Sequence, residues 1–302
     1  MQLLIAMNFV DDLDAMTIER LTRIGYRSEG RDRAFDRFAT LHAFAERTIP
    51  PIPYAIRFSA EILQNPKLKA HKKAVDEITT RLKGGETLRP YLSKQAIAPA
   101  YKDGLLLSWG IHHLHLNTID SAGKDGFVSR PRGRSELLLV RIEGQTAYLI
   151  EIVPHSEQYL FWNPRLLEIV DRNWPELHIA PNLITGGEFS PEQIKHLRTY
   201  WGNYAIAVNG RTIVPKPMTS AGVPMETQMR YRVLCEQLQA VESDVRHRFY
   251  EFFPHKASPG LSWPAIHEVR LVGIEDDYFV LQDRSTLRLC HALHATALPA
   301  ER

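Results

Sequence analysis

Two apolar runs separated by three residues constrain the fold more than any other feature of the chain. The runs Glu136–Ile142 and Thr146–Val153 are rich in Leu, Val and Ile, and only Glu143-Gly144-Gln145 lies between them. Runs of this length and composition are typical of β-strands, and a three-residue connection that contains Gly is of hairpin length. The two segments are therefore predicted to be antiparallel neighbours in one sheet.

A third strand is predicted just before this hairpin, over Leu105–Leu116, with a Gly- and Arg-rich loop between them. Elsewhere the spacing of apolar side chains and the positions of Pro and Gly predict helices and further strands. Helices are predicted over residues 11–48, 68–82 and 163–173, from Ser190-Pro191 onward, and over 225–252. Strands are predicted as a hairpin over residues 204–214 and again within 266–293.

These elements predict an α+β protein in three parts. A helical N-terminal region covers residues 1–100, and a central three-stranded antiparallel sheet with flanking helices covers 101–175. A C-terminal α+β region covers residues 176–302.

Composition excludes several classes of protein. Apolar residues make up 44% and charged residues 24% of the chain, which is ordinary for a globular protein. Two cysteines, Cys235 and Cys290, are too few for a thiolate zinc site or a disulfide framework, and they favour a reducing cytoplasm. No apolar run approaches the ~18 residues that suggest a membrane span, and the N-terminus lacks the basic region of a signal peptide. We therefore expect a cytoplasmic protein with no membrane partner.

Histidines are concentrated in the segment Trp109–Leu116, which contains three of the 13 histidines in the 302-residue chain. Side chains alternate between the two faces of a strand, so His113 and His115 share a face and His112 lies on the other. If the three strands pair in chain order, His155 at the end of the hairpin lies near this cluster. Three interpretations of the cluster remain open.

The first two interpretations are packing and metal binding. Buried histidines are tolerated in a core when their ring nitrogens find partners. A His113-x-His115 pair on a strand also suits zinc or iron, with His155 and either Glu136 or Asp120 as further ligands. The chain would then be a His-ligated metalloenzyme.

The third interpretation is RNA cleavage without a metal or other cofactor. Histidine titrates near neutrality, so it can take the 2′-hydroxyl proton or protonate the leaving 5′-oxygen. Arginine presents a planar fork that matches phosphate oxygens and neutralises the charged transition state. A collection of His and Arg without an evident carboxylate cage fits this chemistry better than it fits a hard metal.

A family resemblance supports the third interpretation. The order of helices, strand, loop, Arg134-Ser-Glu-Leu-Leu-Leu-Val-Arg-Ile142, turn and Ala147-Tyr-Leu-Ile-Glu-Ile-Val-Pro-His155 resembles the RelE/ParE/HigB-like toxins. The resemblance covers residues 105–170 and implies a RelE-like sheet. It also implies an endoribonuclease with Arg134 or Arg141 as the phosphate-binding arginine and His155 as the late proton-transfer residue. His113 and His115 would lie on the basic strand, completing the catalytic set.

RNA is the expected partner, and several cationic or aromatic residues near the cluster are candidates to contact it. We expect the backbone to be bound by basic loop side chains and one base to stack on a tryptophan. The candidates are Lys124, Arg130, Arg132 and Trp109. As a toxin or anti-phage effector the chain would also bind an antitoxin or another protein. The alternative hypothesis is that the chain is not an enzyme but a non-catalytic module that binds protein or nucleic acid.

Overall fold

The structure is a computed structural model that describes residues 4–27, 30–130, 135–178, 184–254, 266–275 and 278–293. Its helices are α1 Phe9–Arg23, α2 Ala34–Arg47, α3 Ala60–Gln64, α4 Pro66–Ala70, α5 Lys72–Gly84, α6 Gly104–Trp109, α7 Arg165–Asn173, α8 Pro191–Thr199, α9 Met225–His247 and α10 Phe249–Phe252. Its strands are β1 Leu4–Ala6, β2 Ala55–Phe58, β3 Ile111–His115, β4 Glu136–Glu143, β5 Thr146–Pro154, β6 Ile206–Val208, β7 Arg211–Ile213, β8 Ile266–Glu275, β9 Tyr278–Asp283 and β10 Arg288–Leu293. Helices and sheets are mixed along the chain, so the α+β class is confirmed.

The chain divides into two compact units. One unit combines Met1–Leu41 with Glu226–Arg302, and the other is His42–Met225. The predicted boundaries after residues 100 and 175 both fall inside the second unit, so the compact units do not follow the three predicted ranges. The N- and C-terminal segments share a unit because β1 pairs in parallel with β8.

The first unit has a four-stranded sheet in the order β1-β8-β9-β10. Its buried face packs against apolar side chains of α1, α9 and α10, including Phe9, Leu238 and Phe249. This arrangement agrees with the predicted long helix and the predicted strands within residues 266–293.

The second unit contains a four-stranded sheet in the order β2-β5-β4-β3, and this sheet carries the candidate site. The antiparallel order β3-β4-β5 agrees with the predicted hairpin and its neighbouring strand. The expectation of a three-stranded RelE-like sheet is wrong, because β2 adds a fourth strand parallel to β5. Strand β2 comes from the region predicted to be helical, and its four residues are too few to show a strand pattern.

Both faces of this sheet are buried, which explains the almost continuous apolar character of β4 and β5. Side chains of α5, among them Ile78 and Leu82, pack on one face. Side chains of α6 and α7, among them Leu105 and Leu166, pack on the other. Within the described ranges no helix is long and apolar enough to cross a membrane.

The histidine-bearing strand is shorter than predicted. Residues 104–109 form α6, and only Ile111–His115 form β3. Asp103 accepts hydrogen bonds from the backbone N–H groups of Leu105 and Leu106 at 3.1 Å and so caps the start of the helix. Gly110 adopts the left-handed conformation, with φ of 69°, and ends the helix just before the strand. An apolar run of this kind is compatible with a helix or a strand, and the caps decide the outcome.

Candidate functional site

The candidate site is a row of polar side chains on one face of the central sheet. His113 is paired with Leu139 of β4 and His115 with Leu137, so both histidines point to the face that packs against α6 and α7. The side chain of His112 points to the opposite face, where Leu114 joins the core beneath α5. The predicted division of the three histidines between two faces therefore agrees with the structure.

His155 extends this row to the surface. Its backbone N–H donates to the carbonyl of Ser135 at 2.9 Å, which continues the pairing of β4 and β5 by one residue. The His155 ring stacks on that of His115, with centroids 5.6 Å apart and planes 24° apart. The rings of His115 and His113 follow at 6.2 Å in an edge-on arrangement. His115 is only 2% exposed, whereas His155 is exposed to solvent.

A carboxylate closes the buried end of the row. The Oδ2 atom of Asp103 lies 3.4 Å from Nδ1 of His113, which is longer than a good N–H···O hydrogen bond. The Nδ1 atoms of His113 and His115 are buried without a hydrogen-bond partner among the described residues. The ring of Phe161 covers His113 at a centroid distance of 5.4 Å. Buried polar atoms usually have a hydrogen-bond partner, so these nitrogens are open to a further polar contact.

Burial of the three clustered histidines favours neutral imidazoles. Burial, followed by the charge of Arg130 and the neighbouring histidines, lowers the pKa of His115 to about 3. Burial also lowers the pKa of His113, although the Asp103 carboxylate opposes this effect. On the other face, burial together with the charges of Lys216 and His113 lowers the pKa of His112 to about 3. At neutral pH His112 and His115 are therefore uncharged.

Arg130 supplies a cation beside the row. Its Nη2 donates to the carbonyl of Leu92 at 2.9 Å, and its buried Nε has no partner among the described residues. Its charge acts on both His113 and His115. Arg130 also lines a surface pocket together with Lys124, so the structure brings two of the predicted RNA contacts together.

The loop that carries Asp103 is held by a buried arginine. Arg47 of α2 is 3% exposed, and its guanidinium donates to the carbonyls of four residues in the segment before Asp103. The acceptors are Ala96, Ala98, Pro99 and Tyr101. Burial lowers the pKa of Arg47, and the Asp103 charge opposes this shift. The Asp103 carboxylate is thus positioned from both sides.

The comparisons with known proteins found no match for this chain among family models, curated proteins or solved structures. The candidate site therefore rests on its geometry and chemistry.

Other predicted site residues lie away from the row. Arg141 is paired with Ile111 at the opposite end of β3, where its guanidinium donates to the carbonyl of Leu177 at 2.7 Å and to Glu143 at 3.2 Å. Trp109 is 3% exposed and donates from Nε1 to the hydroxyl of Tyr204 at 3.1 Å, so its ring belongs to the core and offers no surface for base stacking. Arg132 and Arg134 lie outside the described residues.

The two carboxylates predicted as metal ligands form ion pairs away from the histidines. Glu136 forms an ion pair with Lys67 at 3.0 Å, and Asp120 forms one with Lys73 at 3.0 Å. In the part of the chain that the structure describes, no group of three or more His, Cys, Asp or Glu side chains is arranged to hold a metal ion.

Sequence reasoning missed Asp103 and Arg47. Asp103 precedes Gly104 and a leucine run, a position from which a helix cap could have been inferred. Arg47 lies at the end of a predicted helix, 56 positions before Asp103 by number (103 − 47), and no local signal connects the two. Their relation depends on tertiary contacts alone.

Proposed function

We propose that the chain is a metal-independent endoribonuclease whose active centre is the row Asp103–His113–His115–His155 with Arg130 beside it. The observation that carries the proposal is the exposed His155 ring stacked on the buried, neutral His115 next to a guanidinium. Acid–base groups and a phosphate-binding cation are the two components that RNA transesterification needs.

In the proposed reaction the 2′-oxygen attacks the adjacent phosphorus and the bond from phosphorus to the 5′-oxygen breaks. His155, the exposed member of the row, accepts the 2′-hydroxyl proton, and its imidazolium then donates a proton to the departing 5′-oxygen. The products are a 2′,3′-cyclic phosphate and a 5′-hydroxyl. Arg130 neutralises the charge that builds up on the phosphate oxygens.

His113, His115 and Asp103 act as positioning residues in this scheme. His115 has its pKa near 3 and stays neutral at neutral pH, so it supports the His155 ring without adding a second positive charge. Asp103 faces His113 at 3.4 Å and opposes the effect of burial on the pKa of His113. Arg134, which the family resemblance marks as a phosphate ligand, stays a candidate for a second phosphate contact.

The test is incubation of the purified protein with 5′-labelled RNA in the presence of a chelator. We expect cleavage to 2′,3′-cyclic phosphate ends, and a loss of about 10²- to 10⁴-fold for His155→Ala. His196→Ala is the matched control because His196 is exposed on α8, outside the row, and its loss should leave the rate unchanged. Cleavage that the chelator abolishes, or that His155→Ala retains in full, would sink the proposal.

The resemblance to RelE/ParE/HigB-like toxins extends the proposal to a toxin or effector of a toxin–antitoxin or anti-phage system. An inhibitory antitoxin protein is then the expected second partner. Expression in a bacterial host should arrest growth for the wild type and not for His155→Ala. RNA that is bound in the chelator without being cleaved would instead identify a nucleic-acid-binding module.

A further inference from the structure

A pocket of about 570 Å³ opens beside the histidine row, and its volume lies within the range of ordinary small-molecule sites. Its walls come from the loop between β3 and β4 and from the segment around Lys94. The polar lining residues are Lys94, Ser121, Lys124, Asp125, Ser129 and Arg130. Phe127 and Val128, which belong to the core beneath, form the apolar floor.

The pocket is preformed by backbone hydrogen bonds. Gly123 donates to the carbonyl of Phe127 at 3.0 Å and closes a tight turn that carries Lys124 at its tip. The backbone N–H of Ser129 donates to the Ser121 hydroxyl at 3.2 Å, and the N–H of Val128 donates to the carbonyl of Pro90 at 2.9 Å. A ligand would therefore enter a formed recess without first ordering the loop.

The charge of the pocket favours an anion. Lys94 and Asp125 form an ion pair, and the hydrogen bond from Lys94 keeps the pKa of Asp125 below its ordinary value. The pair is therefore neutral overall, and the charges of Lys124 and Arg130 remain. Lys124 is exposed at the rim, and Arg130 lines the pocket while its charge acts on His115 and His113. Asn117, two residues after His115, donates to the carbonyl of Ser129 at 3.1 Å and so fixes the segment before Arg130 beside the end of β3.

Arg130 is thus shared between the pocket and the histidine row. Because Arg130 lines the pocket, a phosphate held by Arg130 would leave the adjacent nucleotide at the recess, where Lys124 can meet the next phosphate. We infer that this pocket is a nucleotide subsite next to the cleavage position, so the substrate is single-stranded RNA. This inference rests on the proposed endoribonuclease function.

The single-strand requirement follows from the shape of the site. A recess of this size admits one unpaired nucleotide, whereas a base in an A-form duplex is paired and stacked. The duplex major groove is also too deep and narrow for side chains to read. An unpaired nucleotide can leave its neighbours and enter the recess, with its phosphates bound at the cationic rim.

The experiment measures binding of a fluorescent 2′-O-methyl oligonucleotide, which lacks the attacking 2′-hydroxyl and cannot be cleaved. Its single strand and its duplex are titrated against the full chain at several salt concentrations. We expect the single strand to bind at least tenfold more tightly than the duplex. Lys124→Ala should weaken single-strand binding about five- to tenfold and reduce the salt slope by about 0.7.

Lys83→Ala is the matched control, because Lys83 is exposed in the last turn of α5 and outside the pocket. It should change neither the affinity nor the salt slope. The inference of a nucleotide subsite would be wrong if single strand and duplex bound equally. It would also be wrong if Lys124→Ala and Lys83→Ala had equal effects.

The 2′-O-methyl probe cannot be cleaved, so binding at the subsite and cleavage of RNA are measured separately. If the matching RNA is cleaved but the two strand forms bind equally, the subsite is wrong and the cleavage chemistry stands. If single strands are preferred through Lys124 but the matching RNA stays intact, the pocket stands as a nucleotide site and the cleavage function is wrong.

Discussion

Buried His–Asp pairs occur in both compact units, and two of them, His267–Asp283 and Asp103–His113, combine the same side chains in different surroundings. In the unit formed by the chain termini, Nδ1 of His267 lies 2.8 Å from Oδ2 of Asp283, and both side chains are fully buried. Asp283 also accepts from the backbone of Ser285 at 3.0 Å and from the hydroxyl of Thr286 at 2.6 Å. This carboxylate organises a turn and faces no solvent.

In the unit His42–Met225, Asp103 and His113 are 3.4 Å apart, and the next two histidines lead from them to the surface. Nitrogens of His113 and His115 lack partners among the described residues, and Arg130 stands beside the row. A buried His–Asp pair is therefore no sign of a site in itself. A stacked histidine that reaches solvent and the charge of Arg130 are what distinguish the second pair.

The largest expected effect is a loss of protein stability when the His267–Asp283 pair is broken. Asp283→Ala removes an acceptor shared by His267, Ser285 and Thr286, so we expect the free energy of unfolding to fall by about 3–5 kcal/mol. Urea denaturation measures the change. Asp283→Asn retains one acceptor oxygen and should lose less; equal losses for Ala and Asn would show that the hydrogen bonds are not the cause.

The next largest effect is a loss of RNA cleavage when Arg130, the cation beside the histidine row, is removed. Arg130→Ala should lower the rate about 10²- to 10³-fold, because one preorganised donor to the charged transition state is lost. Arg57→Ala on β2 removes an exposed arginine outside the row and serves as the control. Initial rates on labelled RNA are compared at saturating substrate, and similar rates for the two variants would contradict the role of Arg130.

A smaller effect is expected at the Asp103 carboxylate. Asp103→Asn keeps an oxygen that can cap α6 but removes the negative charge that faces His113. We expect the unfolding free energy to change by less than about 1 kcal/mol, while cleavage slows about ten- to a hundredfold. The pH–rate profile should also shift to lower pH, because the row that ends in the proton-transfer residue His155 loses a negative charge that favours protonated imidazole. If Asp103→Asn lost much stability and left the pH–rate profile unshifted, Asp103 would act only as a helix cap.

The last prediction concerns the gradual dependence of the unfolding free energy on pH. Burial holds the pKa of His112 and of His115 near 3, below the ordinary value of 6.5. The unfolded chain therefore binds these protons between pH 6.5 and pH 3 while the folded chain does not. Stability is fully present above pH 6.5 and falls on acidification, by on the order of 1 kcal/mol per pH unit for each histidine.

Urea titrations between pH 7 and pH 4.5 measure this slope. His112→Leu keeps an apolar side chain on the face beneath α5 and should make the slope shallower. An unchanged slope would place the titrating groups elsewhere in the chain.

Much of the sheet was accessible from the sequence because it depends on local pattern. The hairpin of β4 and β5 follows from two apolar runs and a turn with Gly144, and α8 follows from Ser190 and Pro191 at its start. Strand β2 and helix α6 were not accessible, since a four-residue strand and a short leucine run carry no periodicity that separates helix from strand.

Some features of the candidate site were likewise predictable from local sequence, and others were not. By itself the sequence determined that His113 and His115 share a face and that the hairpin returns His155 to their strand, because alternation and turn length are local properties. Only the tertiary structure decided that Trp109 and Arg141 bond elsewhere, and that Asp103, Arg47 and Arg130 come to the row. Those contacts join segments distant in sequence, and the burial that they produce keeps His112 and His115 neutral.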